Sequence, residues 1–203
     1  MTTTLIFIRH GETKWNLEHR MQGQTDIPLS AKGEKQAKQV SEYLRNFPIQ
    51  VFYSSPLKRT LDTALFIHTY HHDAPILQHD SLKERSFGLA EGKTYEELAI
   101  EYPVLSFGRS WNHPQFQIPQ GERLIDVYQR GNEFIHEIVE KERGKTVAIV
   151  AHGVIIRCMI SSLLQLPLTH NYYFELGNTS LTVIRKPQEG PAELHVINHT
   201  VYL

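Results

Sequence analysis

Two short apolar runs, far apart in the chain, end in the same way. Leu5-Ile6-Phe7-Ile8 runs straight into Arg9-His10-Gly11-Glu12-Thr13, and Val147-Ala148-Ile149-Val150-Ala151 runs into His152-Gly153. Continuous runs of this length, rich in β-branched residues, predict strands buried on both faces of a sheet. A buried strand delivers its last residues to a rigid place, and in open α/β sheets ligands bind at that edge. Arginine there is a permanent cationic fork suited to phosphate or carboxylate. Histidine can take a proton or attack an electrophile. Glycine lets the backbone turn tightly and approach a ligand. If the two strands are neighbours, two imidazoles meet in one crevice.

The segments between them alternate. Thr25-Asp26-Ile27-Pro28 and its surroundings read as a polar loop. Ser30 is a good N-cap, and Ala37, Val40, Leu44 and Phe47 then mark one face of an amphipathic helix. Val51-Phe52-Tyr53-Ser54 predicts a second strand. It is followed by a helix carrying Leu57, Leu61, Ala64 and Leu65, with Pro56 in its first turn. Arg59 falls in that first turn, where the free N–H groups and dipole attract anions. Ile76-Leu77-Gln78 predicts a third strand. His68, His71, His72 and His79 do not have metal-site spacing and read as a polar stretch. Leu82 to Gly92 is a charged loop containing Glu84. Thr94 and Glu97 form a capping box that opens a helix with Tyr95, Leu98 and Tyr102 on one side, stopping before Pro103.

Residues 103 to 120 are irregular and aromatic, with Phe107, Trp111 and Phe116 among prolines and Arg109, which is the composition of a functional lid. Leu124, Val127, Tyr128, Phe134, Ile135 and Ile138 stripe a long helix that Gly144 terminates, and Val154 to Leu164 forms another beside His152. Phe174-Glu175-Leu176, Thr179 to Ile184 and Ala192 to Asn198 predict the last strands. Alternating strands and helices imply a three-layer α/β/α sandwich with a mostly parallel sheet. Residues 1–203 read as one domain with a short lid-like insertion at about 85–120.

A net charge of −1 gives no global attraction to nucleic acid or an anionic membrane, so any anion site is a local concentration of charge. No apolar run is long enough to span a bilayer, and no basic-then-apolar leader opens the chain. The single cysteine, Cys158, lies in an apolar helix and reads as a buried thiol, which suits a reducing, cytoplasmic setting.

Taken in order, these motifs resemble the histidine phosphatase superfamily, the phosphoglycerate-mutase-like proteins. The matching residues are Arg9-His10-Gly11-Glu12-Thr13 with Trp15-Asn16, Gln22-Gly23, Asp26-Ile27-Pro28-Leu29, Ser54-Ser55-Pro56-Leu57 with Arg59, Thr63-Ala64, Glu84 with Phe87-Gly88, Glu91-Gly92, Gly121-Glu122 and Ala151-His152-Gly153. The resemblance implies six strands, one of them antiparallel, with the opening strand beside the Val147 strand. It implies His10 as a nucleophile that forms a phosphohistidine. Arg9, Arg59 and His152 would hold the phosphoryl oxygens. Glu84 would be the proton donor and then the base. Asn16, Gln22, Gly23 and the Gly153 backbone would line the phosphate pocket. No metal and no cofactor is implied, because the arginines supply the charge.

The family divides into phosphatases and mutases. Mutases of this type usually have Asn where Val154 follows the second His-Gly, Tyr where Phe87 stands, and a longer insert with paired arginines where this chain has the lone Arg109. These departures favour a phosphomonoesterase acting on a small-molecule phosphate ester. A cofactor-dependent phosphoglycerate mutase is the alternative, and a non-catalytic phospho-ligand module is a third reading. Oligomeric state is not legible.

Overall fold

The structure, a computed structural model, describes residues 1–103 and 113–200. The chain runs β1 (Thr2–Arg9), α1 (Lys14–Leu17), α2 (Ala31–Leu44), β2 (Val51–Ser54), α3 (Lys58–His68), β3 (Ile76–Gln78), α4 (Tyr95–Glu101), α5 (Leu124–Lys141), β4 (Thr146–Ala151), α6 (Gly153–Leu163), β5 (Leu181–Pro187) and β6 (Glu193–His199). The six strands form one sheet in the order β3-β2-β4-β1-β5-β6. β1, β2, β3 and β4 pair in parallel, while β5 runs antiparallel to both β1 and β6. This is the expected six-stranded α/β sheet with one reversed strand.

Strand alternation divides the core into two layers. Leu5, Phe7, Val147 and Ile149 pack with Phe134, Ile135, Ile155 and Met159 of α5 and α6. Ile6, Ile8, Ala148 and Val150 face the other way, onto Val40 and Leu44 of α2 and Ala64 and Ile67 of α3. With a side-chain period of two, Leu5-Ile6-Phe7-Ile8 of β1 and Val147-Ala148-Ile149-Val150-Ala151 of β4 are apolar at successive positions because both of their faces are covered. The helix starts follow the local chemistry. Ser30 caps α2 by accepting from Gly33 N, and Thr94 and Glu97 form the capping box of α4. No helix among the described residues is long and apolar enough to cross a membrane.

Several local expectations need correction. Pro56 precedes the N-cap, Leu57, rather than sitting inside α3. Phe174-Glu175-Leu176 is not a strand, because the Leu176 carbonyl is taken by Arg9 instead of a ladder partner. Thr179, at φ 54°, and Ser180 form the turn before β5. Tyr95 does not share the inner face of α4 with Leu98, for Tyr95 is exposed and Leu98 buried. Within the lid-like stretch, Phe116 packs beside Met21, Phe87, Leu98 and Ile118, whereas Phe107, Arg109 and Trp111 lie outside the described residues. His68 and His71 spend ring nitrogens on the carbonyls of Ala74 and Leu44, which accounts for two of the clustered histidines.

Candidate active site

The two His-Gly ends meet because β1 and β4 pair in parallel with Ile8 opposite Val150 and Arg9 opposite Ala151. His10 N–H donates to the Ala151 carbonyl (3.1 Å), which extends the pairing to the first histidine. The His10 and His152 rings lie 5.2 Å apart, centroid to centroid. Both are buried, and burial, followed by the positive charge of Arg59, holds each imidazole well below its ordinary value of 6.5. His10 is therefore neutral. Its Nδ1 lies 2.7 Å from the Gly11 carbonyl, which fixes the proton on Nδ1 and leaves the Nε2 lone pair for the cavity that His10 lines.

Arg59 is fully buried in the first turn of α3. It donates from Nη2 to the Gly23 carbonyl (2.7 Å), from Nη1 to the Thr25 carbonyl (2.9 Å), and from Nε to His152 Nδ1 (3.2 Å). Burial pushes its pKa down to about 10, so it keeps its charge at neutral pH. Because His152 Nδ1 accepts from Arg59, its proton sits on Nε2, which donates to Ser55 Oγ (2.9 Å). Both ring nitrogens of His152 are thus spent inside the protein. The ring backs His10 and braces Arg59, rather than presenting an N–H to the cavity.

Arg9 donates from Nη1 to the Leu176 carbonyl (2.5 Å), and its buried Nε has no partner. A Cβ placed on Gly153 would lie 3.8 Å from that Nε and 3.9 Å from Glu84 Oε2, so arginine, carboxyl and helix start converge. Glu84 Oε1 accepts from the N–H groups of Arg85 (2.9 Å), Val154 (3.2 Å) and Ile155 (3.3 Å), across the N-terminus of α6. Asn16 Oδ1 accepts from Thr13 N, and Gln22 Oε1 from Thr13 Oγ1, which turns both amide NH2 groups outward as donors. Gly23, at φ 54°, delivers its carbonyl to Arg59 in a conformation that side-chain-bearing residues rarely adopt.

The result is a cavity of about 440 Å³, lined by Arg9, His10, Asn16, Gln22, Gly23, Arg59, Glu84 and Gly153 among others. Apart from His152, every candidate residue reaches it. The wall also contains Arg157, Arg20, Glu175, Asn178 and Tyr95, which the motif reading did not single out. Arg157 had a signal, since it stands four residues after Gly153 on one helix face. Asn178, which donates to the His10 carbonyl (3.0 Å), had none, because its place depends on the turn before β5.

A neutral imidazole with one nitrogen anchored and the other free, under two buried guanidinium groups and beside a carboxyl group, is equipped for phosphoryl transfer. Such chemistry needs positioning and charge stabilisation above all. The comparisons with known proteins agree. Residues 5–200 match the model of the histidine phosphatase superfamily (branch 1). The uncharacterized phosphatase PhoE of Bacillus subtilis is 37% identical over 161 residues, covering 79% of this chain and 77% of the relative. Phosphoserine phosphatase 1 of Hydrogenobacter thermophilus is 36% identical over 181 residues, covering 89% and 85%. The structure of Bacillus stearothermophilus YhfR superposes with a TM-score of 0.89 at 36% identity, covering 98% of each chain. The chain belongs to the histidine phosphatase superfamily.

Proposed function

We propose that the protein is a phosphomonoesterase that works through a phosphohistidine on His10. The observation that carries this reading is the Nδ1 to Gly11 bond, which turns an unprotonated Nε2 to the cavity. In the first step Nε2 attacks phosphorus, the ester P–O bond breaks, and Glu84 as the carboxylic acid gives its proton to the departing oxygen. In the second step a water attacks the phosphohistidine, its proton passes to the Glu84 carboxylate, the P–N bond breaks, and inorganic phosphate leaves. Arg9 and Arg59, with the Asn16 and Gln22 amides and the Gly23 and Gly153 backbone, hold the phosphoryl oxygens. His152 acts on them through Arg59.

Further supports are Val154 and Phe87 on the cavity wall, where a mutase would place polar groups for phosphoglycerate. We read the segment at about 85–120 as a short lid-like insertion within one domain, a reading that Phe87 and Tyr95 on the cavity wall support. The substrate is a small-molecule phosphate ester rather than nucleic acid or a membrane component. The buried thiol of Cys158 suits a cytoplasmic setting. Turnover of 4-nitrophenyl phosphate in the presence of a chelator tests the reading. Radiolabelled substrate quenched in alkaline denaturant should leave label on the protein, and His10→Ala should abolish both signals. Substantial turnover by His10→Ala would overturn the mechanism. Efficient interconversion of 3- and 2-phosphoglycerate with slow phosphate release would instead identify a mutase.

A further inference from the structure

Among the described residues, the arginines that reach into the interior spend their Nε on a protein acceptor, with two exceptions. Arg59 holds two carbonyls and an imidazole nitrogen. Arg85 donates to the carbonyls of Glu122 and Phe116. Arg130 donates to those of Ser81, Lys83 and Glu84 and to the Glu122 carboxylate. The exceptions are Arg9 and Arg157, each with a buried Nε that has no partner, and both line the same cavity. An orphaned buried donor on a cation is costly, and such a group in a cavity points to a ligand that satisfies it.

The two orphans belong to different places. The Nε of Arg9 adjoins Gly153, beside Glu84, and so lies in the phosphoryl pocket. Arg157 stands four residues further along α6, about one turn or roughly 6 Å up the helix axis. Among the described residues it makes no hydrogen bond or ion pair. Glu175 lines the same cavity, yet it is not within ion-pair distance of Arg157. The positive charges of Arg157 and Arg9 also act on one another across the cavity. One phosphoryl group, already held by Arg9, Arg59 and two amides, leaves Arg157 unanswered.

We infer that Arg157 is the anchor of a second anion subsite, which takes a carboxylate or second phosphate on the alcohol portion of the substrate. A guanidinium fork suits either group bidentately. The inference rests on the phosphatase reading and refines it: the natural ester carries another negative charge near the one it loses.

Matched substrates test this. 3-Phosphoglycerate and glycerol 3-phosphate differ by a carboxylate in place of a hydroxymethyl group, and glycerol 1,3-bisphosphate supplies the second phosphate. The wild-type protein should prefer one of the doubly anionic esters over glycerol 3-phosphate by about 10–100-fold in kcat/KM, and the better of the two identifies the group recognised. Arg157→Met should bring that ratio close to one, Arg157→Lys should keep part of it, and Arg157→Glu should shift preference toward phosphoethanolamine. A wild-type ratio near one, or a ratio that survives in Arg157→Met, overturns the inference. If Arg157→Met fails to fold in a thermal melt, the wild-type ratio and Arg157→Lys still decide. Failure of the phosphatase reading looks different, since the wild-type protein would then not turn over 4-nitrophenyl phosphate at all.

Discussion

His10 and His152 sit with ring centroids 5.2 Å apart and planes inclined at 60°, yet they are employed differently. His10 keeps one nitrogen for the cavity, whereas His152 gives one to Arg59 and the other to Ser55. Neutrality of both rings is a condition of that arrangement, because a protonated His152 could no longer accept from a guanidinium.

This neutrality sets a pH dependence. Both imidazoles are held below 6.5, so below that pH the unfolded chain binds protons that the folded chain refuses. Stability is therefore undiminished by these groups above about 6.5 and falls as pH drops, by up to about 1.4 kcal/mol per site per pH unit. Urea melts from pH 7.5 to 5.5 should show the decline, with a shallower slope for His10→Ala. An equal slope for that variant would contradict the assignment. The acid limb of kcat/KM that reports His10 should also lie below 6.5.

Glu84 is held by its own backbone as well as its carboxyl group. Its carbonyl accepts from Arg130 Nη2 and Gln24 Nε2, each at 3.0 Å, and Arg130 is itself held by Glu122. Arg130→Met should loosen Glu84, the proposed proton donor, and leave His10 in place. The loss should be large for alkyl phosphates, whose leaving oxygen needs a proton, and small for 2,4-dinitrophenyl phosphate, whose does not. A loss of the same size for both esters would show that Arg130 acts on the fold in general.

Gly23→Ala tests the loop that feeds Arg59. A Cβ there would stand 2.0 Å from Glu91 Oε1, in a left-handed backbone. Glu91 cannot move freely, because its carboxylate accepts from the N–H groups of Gln24, Thr25 and Phe87. The substitution should cost at least about 2 kcal/mol. That is a fall of roughly 4–8 °C in Tm for a chain of this size. An unchanged melting curve would mean that the loop relaxes without penalty.

Cys158 should be silent toward thiol reagents. It is fully buried, and burial pushes its thiol up to about 12. Aromatic disulfides should therefore react with it only at the rate at which the protein unfolds, as followed by absorbance with and without denaturant. Rapid native-state labelling would place it nearer the surface than the structure does.

The layered fold was legible because β1 and β4 each carry an unbroken apolar run, Leu5 to Ile8 and Val147 to Ala151, a pattern that a sheet covered on both faces demands. The places of Arg9, His10 and Arg59 on the cavity wall were legible because they sit at a strand end and in a helix's first turn, whereas Glu84 lies in a loop and only the family resemblance pointed to it. What escaped depends on contacts between distant segments. Nothing in Ala151-His152-Gly153 tells that Ser55 and Arg59 will occupy both nitrogens of its histidine. Leu176 lies in what reads as a strand until Arg9, 167 residues away, takes its carbonyl. Tyr95 follows the helical stripe but faces outward, because α4 is short and packs chiefly through Leu98.

The parallel register that sets Arg9 opposite Ala151 has a consequence for how such a protein can change over generations. The spacing of the two histidines belongs to the sheet, while Tyr95, Arg157 and Glu175 come to the cavity wall from outside it. Inheritance can therefore rewrite which ester is chosen, one wall residue at a time, and leave the bond-breaking step intact. A single-residue deletion within either strand would undo that separation and take the chemistry with it.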